Sequence, residues 1–252
     1  MSVYAVSDLH GQYDLFLKGL DKICFGDDDE LYVIGDVIDR GPDGIKILQH
    51  IKRHKNMSLI LGNHEVMMLL SVNPDGKKKC NGEKSELWLY YNGGAVTWEG
   101  FAKLREKDRK SLILWLNRCH VIKTIEVEGK RFCLTHSYYS EDLENKMYFE
   151  ADPGEVWDVV WTSMFREDYD THGGNIYKDY EYQFITGHVP VQKAALTHGR
   201  RDDFNELRPY EVGNLIDIDG GCARGYFPGF NNGAIFLRLN DMKVYPIPMD
   251  NN

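Results

Sequence analysis

The stretch Leu31-Tyr32-Val33-Ile34-Gly35-Asp36-Val37-Ile38-Asp39-Arg40-Gly41 decides the fold. Four apolar residues end in a glycine, and three charged residues follow within the next six. A short apolar run bounded this way suits a strand buried on both faces of a sheet. The charged residues then stand just past its carboxyl end. Working outward, Val3–Val6 runs into Asp8-Leu9-His10-Gly11, and Leu59–Leu61 runs into Gly62-Asn63-His64-Glu65. Between the first two runs Tyr13, Phe16, Leu17, Leu20 and Ile23 recur at helical spacing. Between the second pair, Pro42 suits a first helical position, and Ile45, Leu48 and Ile51 follow at every third residue. The opening third therefore reads β-α-β-α-β, with parallel strands and right-handed crossovers.

Beyond it, residues 64–118 read as mostly helical, interrupted by a polar loop from Asn73 to Lys84. Val121–Val127 and Arg131–Thr135 flank Glu128-Gly129-Lys130 as a hairpin. Asp152-Pro153-Gly154-Glu155 is a helix start, with Asp as cap, Pro at the first position and Glu three residues past the cap. Phe184–Thr186, Leu215–Ile218, Ala234–Leu239 and Lys243–Ile247 read as further strands, and Tyr169 to Tyr182 as a tyrosine-rich loop. No linker composition appears, so residues 1–252 are expected to form one α/β domain.

The chain has 252 residues, 42% hydrophobic and 27% charged, enough for a full core. Its formal net charge is −9, which gives no electrostatic basis for general nucleic-acid binding. Five cysteines stand at irregular spacings without a C-x-x-C pair, which argues for free thiols in a reducing compartment. No apolar run reaches the ~18 residues of a membrane span and no signal peptide fits, so a cytoplasmic protein is expected.

Five clusters carry chemistry: Asp8-Leu9-His10-Gly11, Gly35 to Gly41, Gly62-Asn63-His64-Glu65, Thr135-His136 and Gly187-His188. Each follows an expected strand, and ligands of open α/β sheets bind beyond the carboxyl ends of strands. Together they offer Asp, His and Asn as metal ligands without a thiolate, a set suited to Mn²⁺, Fe or Zn²⁺. That many donors exceed the need of one catalytic ion and suit two. Such a pair lowers the pKa of a shared water toward ~7 and clamps an in-line displacement at phosphorus.

The ordered run D-x-H-G, G-D-x-x-D-R-G, G-N-H-E, followed by two later histidines, resembles the phosphoprotein phosphatase family of calcineurin-like metallophosphoesterases, in its compact bacterial and phage form. The resemblance implies a four-layer α/β/β/α fold with two central mixed β-sheets flanked by helices. It implies two divalent ions, Mn²⁺ first among them, with Asp8 and His10 on one, Asp36 bridging, and Asn63, His136 and His188 on the other. It implies His64 as general acid, Asp39 as the group orienting it, and Arg40 as a phosphate clamp. The expected reaction is hydrolysis of a phosphate monoester, foremost phosphoserine or phosphothreonine in proteins and also phosphotyrosine, by direct attack of a bridging metal-bound hydroxide. An anionic ester would meet a locally positive spot on a negative chain.

Relatives usually carry a second arginine as W-x-R, whereas Trp161 is followed by Thr162 and Ser163, leaving Arg166 as the candidate second clamp. Arg200, Arg201, Arg208 and Arg224 are the alternatives. Glu65 is expected to support its turn, and Tyr138 and Tyr139 to be packing residues. Trp88 to Thr97 resembles the N-G-G segment near the active-site lid of bacterial members. His50, His54, His120, His172 and His198 are expected at the surface. A rival reading is a dinucleoside polyphosphate hydrolase such as a diadenosine tetraphosphatase, which shares the R-G-P frame but often lacks the Asp39 position. In that reading the 169–182 loop binds adenine. A metal-free scaffold is the remaining alternative, opposed by the complete ligand set. No obligate protein partner can be deduced.

Overall fold

The computed structural model describes residues 1–79, 82–165, 177–200, 205–224 and 231–250. In chain order its elements begin β1 (Val3–Ser7), α1 (Tyr13–Lys22), β2 (Glu30–Ile34), α2 (Gly44–Arg53), β3 (Met57–Ile60) and α3 (Asn63–Ser71). A short α4 (Glu83–Glu86) runs into a π-helical turn at Leu87–Tyr91, then α5 (Gly94–Ala102) and α6 (Glu106–Leu116). The second half holds β4 (Ile122–Val127), β5 (Lys130–Thr135), α7 (Pro153–Trp161), β6 (Gln183–Thr186) and α8 (Val191–Thr197). It ends with β7 (Tyr210–Val212), β8 (Leu215–Asp217), β9 (Gly233–Arg238) and β10 (Lys243–Pro248).

Two mixed five-stranded sheets result, ordered β10-β9-β1-β2-β3 and β4-β5-β6-β8-β7, with helices flanking them. The expected β-α-β-α-β unit is present: β1 pairs parallel with β2, and β2 with β3. Ala5, Val6, Val33 and Ile34 are fully buried, as strands covered on both faces require. In α1 the buried face is Leu15, Phe16 and Gly19, and in α2 it is Ile45, Ile47, Leu48 and Ile51. A Cβ at Gly19 would stand 2.1 Å from the Phe236 ring, so glycine lets α1 lie close on β9. The Glu128-Gly129 turn closes the β4–β5 hairpin with both residues at positive φ. Asp152 caps α7 by accepting from the Gly154 and Glu155 amides at 2.8 and 3.1 Å.

Two expectations are corrected, and two elements appear that no expectation covered. Pro42 lies ahead of α2, which starts at Gly44. The turn before it is tied to the first loop instead, with Gly41 N–H donating to the His10 carbonyl and Asp43 N–H to that of Gly11. Strand β7 and helix α8 escape the sequence reading because both are short and weakly periodic. His50, His120 and His198 are half-buried, His50 against Tyr13 and His198 against Tyr210, while His172 lies outside the described residues. Among the described residues no helix is long and apolar enough to cross a membrane.

The strand directions bring the loops after β1, β2, β3, β5 and β6 together. Asp8, His10 and Gly11 donate their amides to Gly35, Asp36 and Val37 carbonyls, and Gly187 donates to His136. A Cβ on Gly35 would lie 2.5 Å from His136 Nδ1, so the contact between the two sheets' loops there needs glycine, which also takes φ 71.

Candidate active site

Six of the expected site residues adopt left-handed backbone: Asp8, His10, Asp36, Asp39, Arg40 and His188, with φ from 40 to 73. Each such conformation costs on the order of 1–3 kcal/mol and persists only where surrounding bonds over-determine it. Here the determinants are the loop-to-loop amides and one carboxylate. Glu65 is fully buried and accepts the N–H groups of Asp36 at 2.8 Å, Val37 at 2.9 Å and Gly62 at 3.0 Å. It therefore stitches the second and third loops together, which agrees with its expected supporting role.

These loops converge acceptor atoms on one buried spot. The ligand atoms of His10, Asp36 and His64 lie within 4.8 Å of one another, as do those of Asp36, His136 and His188. Asp36 belongs to both groups. The Asn63 amide is 3.0 Å from His136 Nε2 and 3.2 Å from His188 Nδ1. Turned the other way, it donates to both rings and to both Asp36 oxygens. With its oxygen inward, lone pairs face lone pairs, an arrangement that a divalent cation satisfies. The far nitrogens of two rings are held by main-chain carbonyls, His10 Nδ1 by Ile38 and His136 Nδ1 by Ile34, as is usual for ligating imidazoles. The donor set thus fits a pair of ions.

Asp8 stands slightly apart. Its Oδ2 accepts the His188 N–H at 3.0 Å, and it is not in either 4.8 Å group. Burial and the neighbouring Asp219 raise its carboxyl well above the usual range, so a nearby cation would be needed to keep it ionised.

Beside the acceptor cluster lies a second buried pair. His64 Nδ1 is 2.6 Å from Asp39 Oδ2, and both side chains are fully buried. Arg40 reaches over them, with Nη1 3.1 Å from His10 Nε2 and Nη2 3.2 Å from His64 Nε2. Burial lowers the His64 pKa, but Asp36 and Asp39 outweigh it and leave the ring easier to protonate than usual. Burial likewise resists ionisation of Asp36, yet His136, His64 and His10 together hold its carboxyl well below the ordinary range. Burial and the His136 charge push His188 down to about 3, a neutral ring suited to ligation.

Arg166 and Arg201 lie outside the described residues, as does the side chain of Arg224. Arg200 and Arg208 line a different cavity with Glu206, Tyr210 and Glu211, apart from the His and Asp cluster. Tyr139 is buried against Phe184, Tyr177 and Tyr180, and its hydroxyl donates to Glu144. The described part of the tyrosine-rich stretch, Tyr177 to Tyr182, thus packs onto sheet two; residues 169–176 lie outside the described residues. A cavity of about 480 Å³ adjoins His188, lined by Trp161, Phe165, Val189, Ala194 and Thr197.

Three groups escaped the sequence reading. Trp88 Nε1 donates to Asp39 Oδ2 at 2.8 Å, and Thr97 Oγ1 accepts the Asp39 N–H at 2.9 Å. Asp219 lies buried near Asp8, and its N–H donates to Asp217 Oδ1 at 2.8 Å. Only the N-G-G resemblance gave any signal for the first two; nothing in the local pattern marked the third.

Histidine, carboxylate and amide groups thus converge beside an arginine fork on the loops of two mixed sheets. A family model described as calcineurin-like phosphoesterase matches residues 1–218, and the chain belongs to that family, in its phosphoprotein phosphatase branch. The chain is 32% identical over 165 residues to serine/threonine-protein phosphatase 2 of Salmonella typhimurium, covering 64% of this chain and 67% of that protein. It is 33% identical over 132 residues to the symmetrical bis(5'-nucleosyl)-tetraphosphatase of Buchnera aphidicola subsp. Schizaphis graminum, covering 52% of this chain and 42% of that one. The chain spans less than half the length of the first curated relatives it matches. A solved putative diadenosine tetraphosphatase superposes with a TM-score of 0.60 at 16% identity, covering 100% of this chain and 95% of the other, which speaks for the fold.

Proposed function

We propose that this chain hydrolyses phosphate monoesters on serine and threonine side chains of proteins, with phosphotyrosine as a further substrate. The observation that carries the reading is the buried 2.6 Å contact between His64 Nδ1 and Asp39 Oδ2. A serine or threonine alkoxide is strongly basic and leaves only as it is protonated, so its ester needs a positioned acid. A nucleotide leaves as a weakly basic phosphate and needs none.

In this reading Asp8 and His10 would hold one divalent ion, Asn63, His136 and His188 the other, and Asp36 both. When bound, the ions polarise the phosphoryl oxygens and bring the pKa of water toward ~7. Mn²⁺ is the first choice, and Fe and Zn²⁺ suit the same donors. Arg40 holds the phosphoryl group through its planar fork. His64, held at Nδ1 by Asp39, delivers the proton of Nε2 to the departing oxygen. Arg40 Nη2 lies 3.2 Å from His64 Nε2, so clamp and acid stand side by side. The name of the Salmonella relative supports the same substrate class.

The second reading is hydrolysis of a dinucleoside polyphosphate, favoured by the names of the Buchnera relative and of the solved structural neighbour. One ratio separates them: kcat/KM for a phosphoserine peptide against that for diadenosine tetraphosphate, measured on Mn²⁺-loaded protein. A ratio well above one is expected. A ratio well below one replaces the first reading with the second.

A further inference from the structure

We propose that Trp88 is a positioning residue for the general acid, acting through Asp39; the inference rests on the monoester reading above. The Asp39 carboxylate is a hub with unequal ends. Oδ2 takes the His64 Nδ1 contact at 2.6 Å and the Trp88 Nε1–H at 2.8 Å, while Oδ1 is buried without a partner. Rotation about the bond to an Asp carboxyl is soft, because terminal sp³–sp² torsions have broad wells. A single bond to His64 would leave the carboxylate free to turn with the ring. The indole adds a second, rigid anchor on the same oxygen, and Trp88 is itself fully buried.

The rest of the segment is shaped to keep that indole in place. Trp88 lies in the π-helical turn Leu87–Tyr91, a rare geometry often found at functional sites. A Cβ on Gly94 would stand 2.5 Å from the Trp88 ring, so the following helix can start there only with glycine. Gly93, at φ 77, packs on Arg40 and accepts its N–H at 3.3 Å. Thr97 then accepts the Asp39 N–H at 2.9 Å. Residues 88–97 thus grip two adjacent residues, Asp39 and Arg40, both held in left-handed backbone. A carboxylate with its torsion released lets the imidazole tilt, and small misplacements of a reacting group are costly.

The test compares two small esters that differ in leaving group, phenyl phosphate and 4-nitrophenyl phosphate, on the metal-loaded full chain. An acid matters for the poor leaving group and little for the good one. Trp88→Phe should lower kcat/KM on phenyl phosphate by ~10²-fold and on 4-nitrophenyl phosphate by less than ~3-fold. In an Asp39→Asn background the same change should add almost nothing, since the two act as one unit. Should Trp88→Phe not fold, 3-benzothienylalanine at position 88 keeps the indole shape and replaces only the N–H; the same split is expected. Equal losses on both esters, or an undiminished effect in the Asp39→Asn background, overturn the proposal and leave Trp88 as packing. Failure on a phosphoserine peptide would instead count against the phosphoprotein reading, because the two aryl esters are read independently of it.

Discussion

Glu65 and Asp36 are joined across two loops: Oε2 of Glu65 accepts the Asp36 N–H at 2.8 Å. The same oxygen takes Gly62 N–H at 3.0 Å, and Oε1 takes Val37 N–H at 2.9 Å. Asp36 is the residue shared by both donor groups, so the carboxylate that fixes its backbone sets the spacing of the whole cluster. Glu65 does this at a cost, because burial and the nearby Asp36 raise its carboxyl to about 6.

Removing this acceptor should be expensive. Glu65→Ala strands four buried N–H groups, those of Asp36, Val37, Ile38 and Gly62, each worth about 1–3 kcal/mol when unsatisfied. Water entering the gap offsets part, so denaturant unfolding should show a loss of about 3–5 kcal/mol. A loss under about 1 kcal/mol would mean that the loops hold their shape without it.

Much of this arrangement could be read from the chain. Val33 and Ile34 announce a doubly buried strand, and the charged residues after them fall where the strand ends deliver ligands. Those signals are local: a run, a glycine, a fixed spacing. The contact from Trp88 to Asp39 spans 49 residues and that from Glu65 to Asp36 spans 29, and no periodicity encodes either. Asp219 is further still from Asp8, joined to it only because β8 lies beside β6 and the loop after β6 rests on that after β1. Strand β7 stayed hidden because its apolar-polar-apolar alternation, Tyr210-Glu211-Val212, is only three residues long.

Asp36 offers both oxygens to different partners, His136 Nε2 at 3.4 Å from Oδ1 and His10 Nε2 at 3.7 Å from Oδ2. If it bridges two ions, Asp36→Asn should weaken both at once. Metal analysis after gel filtration is expected to fall from about two ions per chain to below one. Full retention of both would contradict the bridging assignment.

If His64 is the general acid, His64→Asn should lower kcat on a phosphoserine peptide by ~10²–10⁴ while metal content stays unchanged. An unaltered kcat on a poor leaving group would remove His64 from that role.

The metal-free protein should carry a pH signature at His136. Burial lowers the pKa of this ring, but Asp36 and Asp8 outweigh it and raise the value to about 10. A histidine raised above its unfolded pKa of ~6.5 contributes stability that is complete below that pH and is lost as pH climbs through the folded value. Chelator-treated protein should therefore lose resistance to denaturant between pH 7 and 10, and His136→Gln should lose less over the same window. A metal needs the neutral His136 ring and the ionised Asp8 carboxylate, so Mn²⁺ binding at pH 7 should release protons. Calorimetric heats that do not change between buffers of different ionisation enthalpy would refute this.

The cavity of about 480 Å³ beside His188 supplies the last prediction. Trp161, Phe165, Val189 and Ala194 give it apolar walls, and exposed Thr197 stands on α8 at its edge. A peptide substrate extends beyond its phosphate and must rest somewhere near the ligands, whereas a small aryl ester does not reach so far. Thr197→Trp places bulk at this edge without touching the buried core. It should lower kcat/KM for a phosphoserine peptide by roughly tenfold or more, mostly through KM, and leave 4-nitrophenyl phosphate unchanged. If both substrates are unaffected, the peptide lies elsewhere; if both fall together, the substitution has disturbed the donor cluster through His188.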